Sequence, residues 1–85
     1  MNDTFLSMES RPGELLVHVR GRWIFDQVLA LEEATASVLP EPGQVVTFKC
    51  AGLEDIDIAG AWVLYDRTGQ LSELGFKSEL TGFKA

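Results

Sequence analysis

Two stretches near the start of the chain alternate apolar and polar positions with a period of two. Phe5, Leu6 and Met8 fall within Thr4 to Glu9, and Leu15, Val17 and Val19 interleave with Leu16, His18 and Arg20, the spacing of strands that bury one face. Between them, Ser10-Arg11-Pro12-Gly13 has type II turn chemistry: proline presets the first central φ and glycine tolerates the positive second one. The pattern predicts a hairpin whose second strand ends at Gly21.

From Asp26 the period lengthens. Val28, Leu31, Thr35, Val38 and Leu39 recur at three- and four-residue intervals with Glu32 and Glu33 to one side, which predicts an amphipathic helix over Asp26 to Leu39. Asp26 is its expected N-cap, and Pro40 and Pro42 close it. Val45 to Ala51 is a run of β-branched and apolar residues, as in a central strand covered on both faces. After an acidic loop, Gly52 to Asp57, a second helix is predicted over Ile58 to Leu74, with Gly60, Val63, Leu64, Leu71 and Leu74 on one side and Gly75 as its stop. Phe76 to Phe83 alternates as a fourth strand.

The resulting order is β-β-α-β-α-β: a hairpin, then two crossovers joining parallel strands. This is an α/β architecture, a mixed sheet of about four strands with two helices on one face. Leu15, Val17, Val45, Phe48, Leu64 and Leu71 are the periodic positions expected in its core. The 85 residues make one domain, 1–85, without repeats or linkers. A final strand with nothing after it to cover its edge leads to the expectation that 1–85 is the N-terminal part of a longer protein.

Charge narrows the partners. Seven basic residues against thirteen acidic leave −6, which repels phosphate backbones and anionic headgroups, so nucleic-acid binding is not expected. Cys50 is the single cysteine; no disulfide within the chain and no CxxC metal knuckle can form, and a reducing compartment fits. The start lacks a basic and apolar leader, and no segment approaches the roughly 18–20 apolar residues of a membrane span. The expectation is a soluble, cytoplasmic segment that does not itself insert into a membrane.

Candidate chemistry is sparse. Glu54, Asp55 and Asp57 suggest a hard-cation site, but alternate residues of an extended segment diverge, no histidine supports them, and Asp57 is placed to cap the second helix. His18 lies mid-strand with no nucleophile to activate, and Cys50 lies in an apolar strand where a thiolate is disfavoured. Gly52, Gly60 and Gly69 match neither GxGxxG nor a Walker loop; Gly60 is read as permitting close approach of the second helix. No catalytic residue, metal ligand or cofactor is assigned, and the chain is not expected to be an enzyme. Trp62, Tyr65 and Gly69 fall opposite the core stripe of the second helix. Aromatics there are either a partner surface or pack on the first helix or on residues beyond Ala85.

The stretch Leu53-Glu54-Asp55-Ile56-Asp57-Ile58-Ala59-Gly60-Ala61-Trp62-Val63-Leu64, in this element order, resembles the STAS domains, named for sulphate transporters and anti-sigma-factor antagonists. Ile56-Asp57-Ile58-Ala59-Gly60 sits where the family has an apolar-x-x-Asp-[Ser/Thr]-[Ser/Ala]-Gly junction, and Gly21-Arg22-Trp23-Ile24-Phe25 resembles its lead-in to the first helix. Gly60-Ala61-Trp62 is most similar to the STAS-like segment at the N-terminus of bacterial lipid-asymmetry ABC transporter permeases, or to the free-standing STAS subunit of such transporters. The resemblance implies a non-enzymatic interaction module whose partner is the transporter's ATPase subunit or the membrane portion of the same permease. It also implies tethering to the inner membrane through a following permease region. Homodimerisation stays open. The alternative is an anti-sigma-factor antagonist or partner-switching component, but the residue that such antagonists phosphorylate is Ala59 here, preceded by Ile58, so no hydroxyl is available. The implied contact set is Glu54, Asp55, Asp57, Ile58, Ala59 and Gly60, joined by Trp62 and Tyr65.

Overall fold

The computed structural model describes residues 5–83. Strand β1 (Leu6–Arg11) pairs antiparallel with β2 (Glu14–Trp23), β3 (Val45–Ile56) lies parallel to β2, and β4 (Ser78–Thr81) lies parallel to β3, giving the spatial order β1-β2-β3-β4. Between β2 and β3 come a single 3-10 turn, Phe25–Gln27, and helix α1 (Val28–Ala36); helix α2 (Ile58–Glu73) joins β3 to β4. The element order and mixed sheet are those the sequence predicts.

The hairpin closes as its turn chemistry requires, with Arg11 opposite Glu14 and Gly13 at φ +81. Val17, Val19, Val46, Phe48 and Cys50 share one buried cluster with Leu31, Val63, Leu64 and Leu71, so both helices cover the same sheet face. Trp23 is fully buried in that cluster, edge-on to Phe5 with ring centroids 6.4 Å apart, and its indole N–H donates to the Arg20 carbonyl at 2.9 Å. Burial pushes the Cys50 thiol up to about 11, in keeping with an inert apolar role. The opposite sheet face is polar: Glu9 pairs with Arg11 at 2.7 Å, His18 stands 4.0 Å from Glu9, and Arg20 donates to Ser7.

Several boundaries differ from expectation, each for a local reason. Strand β2 does not end at Gly21. That residue takes φ +81 beside register shifts at His18/Arg20 and Gly21/Arg22, each of which places one extra residue in β3 opposite β2, and the ladder runs on to Trp23 and Ile56. Strand β3 likewise continues through the predicted acidic loop to Ile56, pairing Gly52, Leu53, Asp55 and Ile56 with β2. Asp26 is not an N-cap; it sits inside the 3-10 turn, and Gln27 precedes α1 with no side-chain cap. Helix α1 stops at Ala36, and Leu39 and Leu74, assigned to buried stripes, are exposed. Val45 is half-buried because its side chain falls on the polar face of the sheet. Strand β1 starts at Leu6 and β4 spans Ser78–Thr81; Thr4, the predicted start of the first strand, lies outside the described residues.

Leu64 is buried by sheet and helices together. Leu64→Ala is expected to cost about 2–5 kcal/mol, read as a lowered denaturant midpoint with an unchanged slope.

Candidate interaction site at the junction of β3 and α2

The site is built on the chain crossing where β2 and β3 end side by side. Trp23 and Ile56 are register partners, and one residue later the Asp57 amide donates to the Trp23 carbonyl at 3.1 Å. The Asp57 carboxylate then takes two further amides: Oδ1 accepts from Gly60 at 3.0 Å, capping α2, and Oδ2 accepts from Phe25 at 2.9 Å, at the head of the 3-10 turn. A helix start leaves free N–H groups that favour a nearby anion. These bonds, that from Gly60 first and that from Phe25 next, hold the Asp57 carboxyl below the ordinary aspartate value.

Gly60 is the second constraint. A Cβ there would overlap the Trp23 carbonyl oxygen and stand 2.5 Å from its carbon and 2.8 Å from the Trp23 Cβ, so only glycine lets the first turn of α2 rest on the end of β2. The close approach read from the sequence is made to strand backbone at this crossing.

Of the implied contact residues, the structure gathers some and disperses others. Ile58, Trp62 and Tyr65 stand at i, i+4 and i+7 of α2 and are 89%, 66% and 71% exposed, an apolar stripe along one line of the helix surface. Both aromatics are largely exposed and neither belongs to the buried cluster; Trp62 borders the groove between α2 and α1. Phe25, also exposed, donates its backbone amide to Asp57 just before the start of α2. The sequence reading treats Phe25 only as lead-in; its signal is the apolar run Trp23-Ile24-Phe25, too dense for a strand with one buried face. Ala59 is half-buried and Gly60 buried, so they shape the crossing instead of presenting side chains. Glu54 is the extra residue of β3 where the register slips between Gly21 and Arg22, so alternation breaks there and Glu54 and Asp55 are both exposed between Leu53 and Ile56, which pack against the core; Asp55 lies 3.9 Å from Arg22 across the ladder. Both acids belong to the end of a strand and not to a loop. Among the described residues no three His, Cys, Asp or Glu side chains gather as a metal site needs, and no helix is long and apolar enough to cross a membrane.

Neither a protein-family model nor a curated protein matches the sequence. Solved structures match the backbone. The anti-sigma-factor antagonist STAS domain from Rhodobacter sphaeroides superposes with a TM-score of 0.73 at 17% identity, covering 95% of this chain and 90% of that one. The anti-sigma factor antagonist SpoIIAA in its unphosphorylated form gives 0.68 at 11% identity, covering 94% and 74%. Mglu gives 0.71 at 19% identity, covering 87% of this chain; the chain spans only 18% of Mglu's length.

The carboxylate of Asp57 predicts a pH dependence with a fixed sign. Its value is lowered on folding, so the stabilisation is complete above the ordinary aspartate value, about 3.9, and is lost as pH falls from there through the lower folded value. Asp57→Asn keeps a capping oxygen but no titrating charge. Denaturation midpoints followed into acid should fall less steeply for this variant than for the wild type.

Proposed function

We propose, from the STAS fold that the chain shares with the Rhodobacter sphaeroides antagonist domain, that it is a non-enzymatic protein-interaction module. In this reading it serves as a regulatory or assembly part of a bacterial ABC-type lipid transporter and docks the ATPase subunit, or the membrane portion of the same permease. The carrying observation is the exposed Ile58, Trp62 and Tyr65 stripe, mounted on a helix whose start is fixed by Asp57 and Gly60. Large exposed aromatics on a helix with a fixed start suit binding, because they add contact area and are enriched among the residues that dominate interface energetics. The similarity of Gly60-Ala61-Trp62 to permease-type STAS segments supports the transporter context.

A second reading, an anti-sigma-factor antagonist or partner-switching component, is favoured by the two antagonist structures that share the fold. Ile58 and Ala59 offer no hydroxyl to phosphorylate, so such a role would be constitutive binding without the switch. The two readings share a surface and differ in the partner that occupies it.

Titration calorimetry of the chain against the transporter's purified ATPase subunit, and against an anti-sigma-type kinase, separates them. Trp62→Ala is expected to weaken capture by the true partner by about 2 kcal/mol or more while leaving the thermal melt nearly unchanged. A variant that binds normally, or that melts far earlier than wild type, would refute the surface.

A further inference from the structure

The negative charge of the chain is concentrated in one layer. Residues 24–41 and 57–74, which hold both helices and their caps, carry seven acidic side chains against one basic, Arg67, and so the entire formal charge of −6. The remaining described residues balance, five acidic against five basic. Within the helical layer a groove of about 290 Å³ runs between the helices, lined by Glu32 and Ala36 of α1 and by Trp62, Val63, Asp66 and Arg67 of α2.

Arg67 keeps its charge and offsets one of the two groove carboxylates, Glu32 and Asp66, so the groove stays net negative, and its guanidinium is tied to the end of α1. Its Nη2 donates to the Val38 carbonyl just past the end of α1, where free carbonyls favour a cation, and its Nη1 donates to Gln70 Oε1 at 2.8 Å. Gln70 in turn donates to Asp66 Oδ2 at 3.0 Å, which holds that carboxylate in place without cancelling its charge. Among the described residues neither Glu32 nor Asp66 has an ion-pair partner. Asp66 stands one turn after Trp62 on α2, and Glu32 stands across the groove on α1. An exposed indole face flanked by two unpaired carboxylates attracts a cation both through the ring quadrupole and by direct pairing.

We propose that this groove seats an arginine side chain from an amphipathic basic segment of a protein partner. The guanidinium lies over the Trp62 indole and pairs with Glu32 and Asp66, while Ile58 and Tyr65 take apolar residues of the same segment. Arginine fits better than lysine because its planar group stacks on the ring and bonds carboxylates in pairs. The inference rests on the reading of the α2 stripe as a docking surface and adds the chemistry of what docks there.

The test titrates the intact chain with an amphipathic helical peptide of leucine and arginine, and with the same peptide carrying uncharged citrulline at every arginine. Binding is followed by tryptophan fluorescence and calorimetry. Trp23 is fully buried and Trp62 is not, so a change in emission on binding reports Trp62. The arginine peptide is expected to bind about tenfold tighter than the citrulline peptide or better. Glu32→Gln and Asp66→Asn should each weaken it about three- to tenfold, whereas Glu41→Gln, the same loss of charge outside the groove, should change little. Equal affinity for the two peptides, or equal losses in all three variants, would overturn the arginine seat in favour of plain apolar docking or diffuse attraction. If both peptides bind equally and Trp62→Ala abolishes both, the seat falls while the docking surface stands. If neither binds, the seat falls, and capture of the ATPase subunit or kinase decides the surface independently.

Discussion

One carboxylate holds two chain crossings together. Asp57 accepts from Gly60 at the start of α2 and from Phe25 at the start of the 3-10 turn, while its own amide is bonded to Trp23. The end of β2, the end of β3 and the first turns of both helical segments therefore meet within a few residues, and Gly60 lets them meet without a side chain between. The helix directions follow from this point. The buried cluster, from Val17 and Phe48 to Leu31, Leu64 and Leu71, fills the layer that the junction sets. A helix whose first turn is fixed by backbone contact can expose a row of large side chains in a constant orientation, which a frayed terminus could not do.

The outer face of α2 gains meaning from that rigidity. Ile58, Trp62 and Tyr65 supply apolar area beside a layer that carries all of the formal charge, so a complementary partner surface would combine apolar residues with cations. Opposite charge across such a contact would raise encounter rate and select partners more than it adds affinity.

The sequence made much of this visible, and the exceptions share a cause. Strict periodicity in Leu15 to Val19 and in Val63 to Leu71 exposed the central strands and α2, because side chains in contact with one continuous core must repeat at the backbone period. Pro12-Gly13 locates the hairpin, and Asp57 is legible as a cap because it stands directly before the first residue of the second periodic helix. Periodicity failed where backbone geometry, not side-chain burial, decides. The two bulges of β3 opposite His18 to Arg22 and the glycine contact at Gly52, whose Cβ would lie 3.0 Å from the Val19 carbonyl oxygen, extend both strands through stretches whose residues read as loop. Asp26 looked like a cap because the intervening 3-10 turn has no hydrophobic signature. The acidic cluster reads as a loop surface because its charges, and the break in alternation at Glu54, mask the strand that runs through it. The groove between the helices depends on which residues of α1 and α2 come to face each other, and no local pattern encodes that.

The claim that the Trp23, Asp57 and Gly60 crossing fixes the molecule is tested most directly by adding one methyl group at each of two glycines of α2. Gly69 is exposed and a Cβ there meets nothing within 4 Å, so Gly69→Ala should stabilise the domain by up to about 1 kcal/mol through helix propensity alone. The same gain at Gly60 is opposed by overlap with the Trp23 carbonyl, and Gly60→Ala should instead cost about 1–3 kcal/mol or more in chemical denaturation. Stabilisation of similar size at both positions would contradict the account.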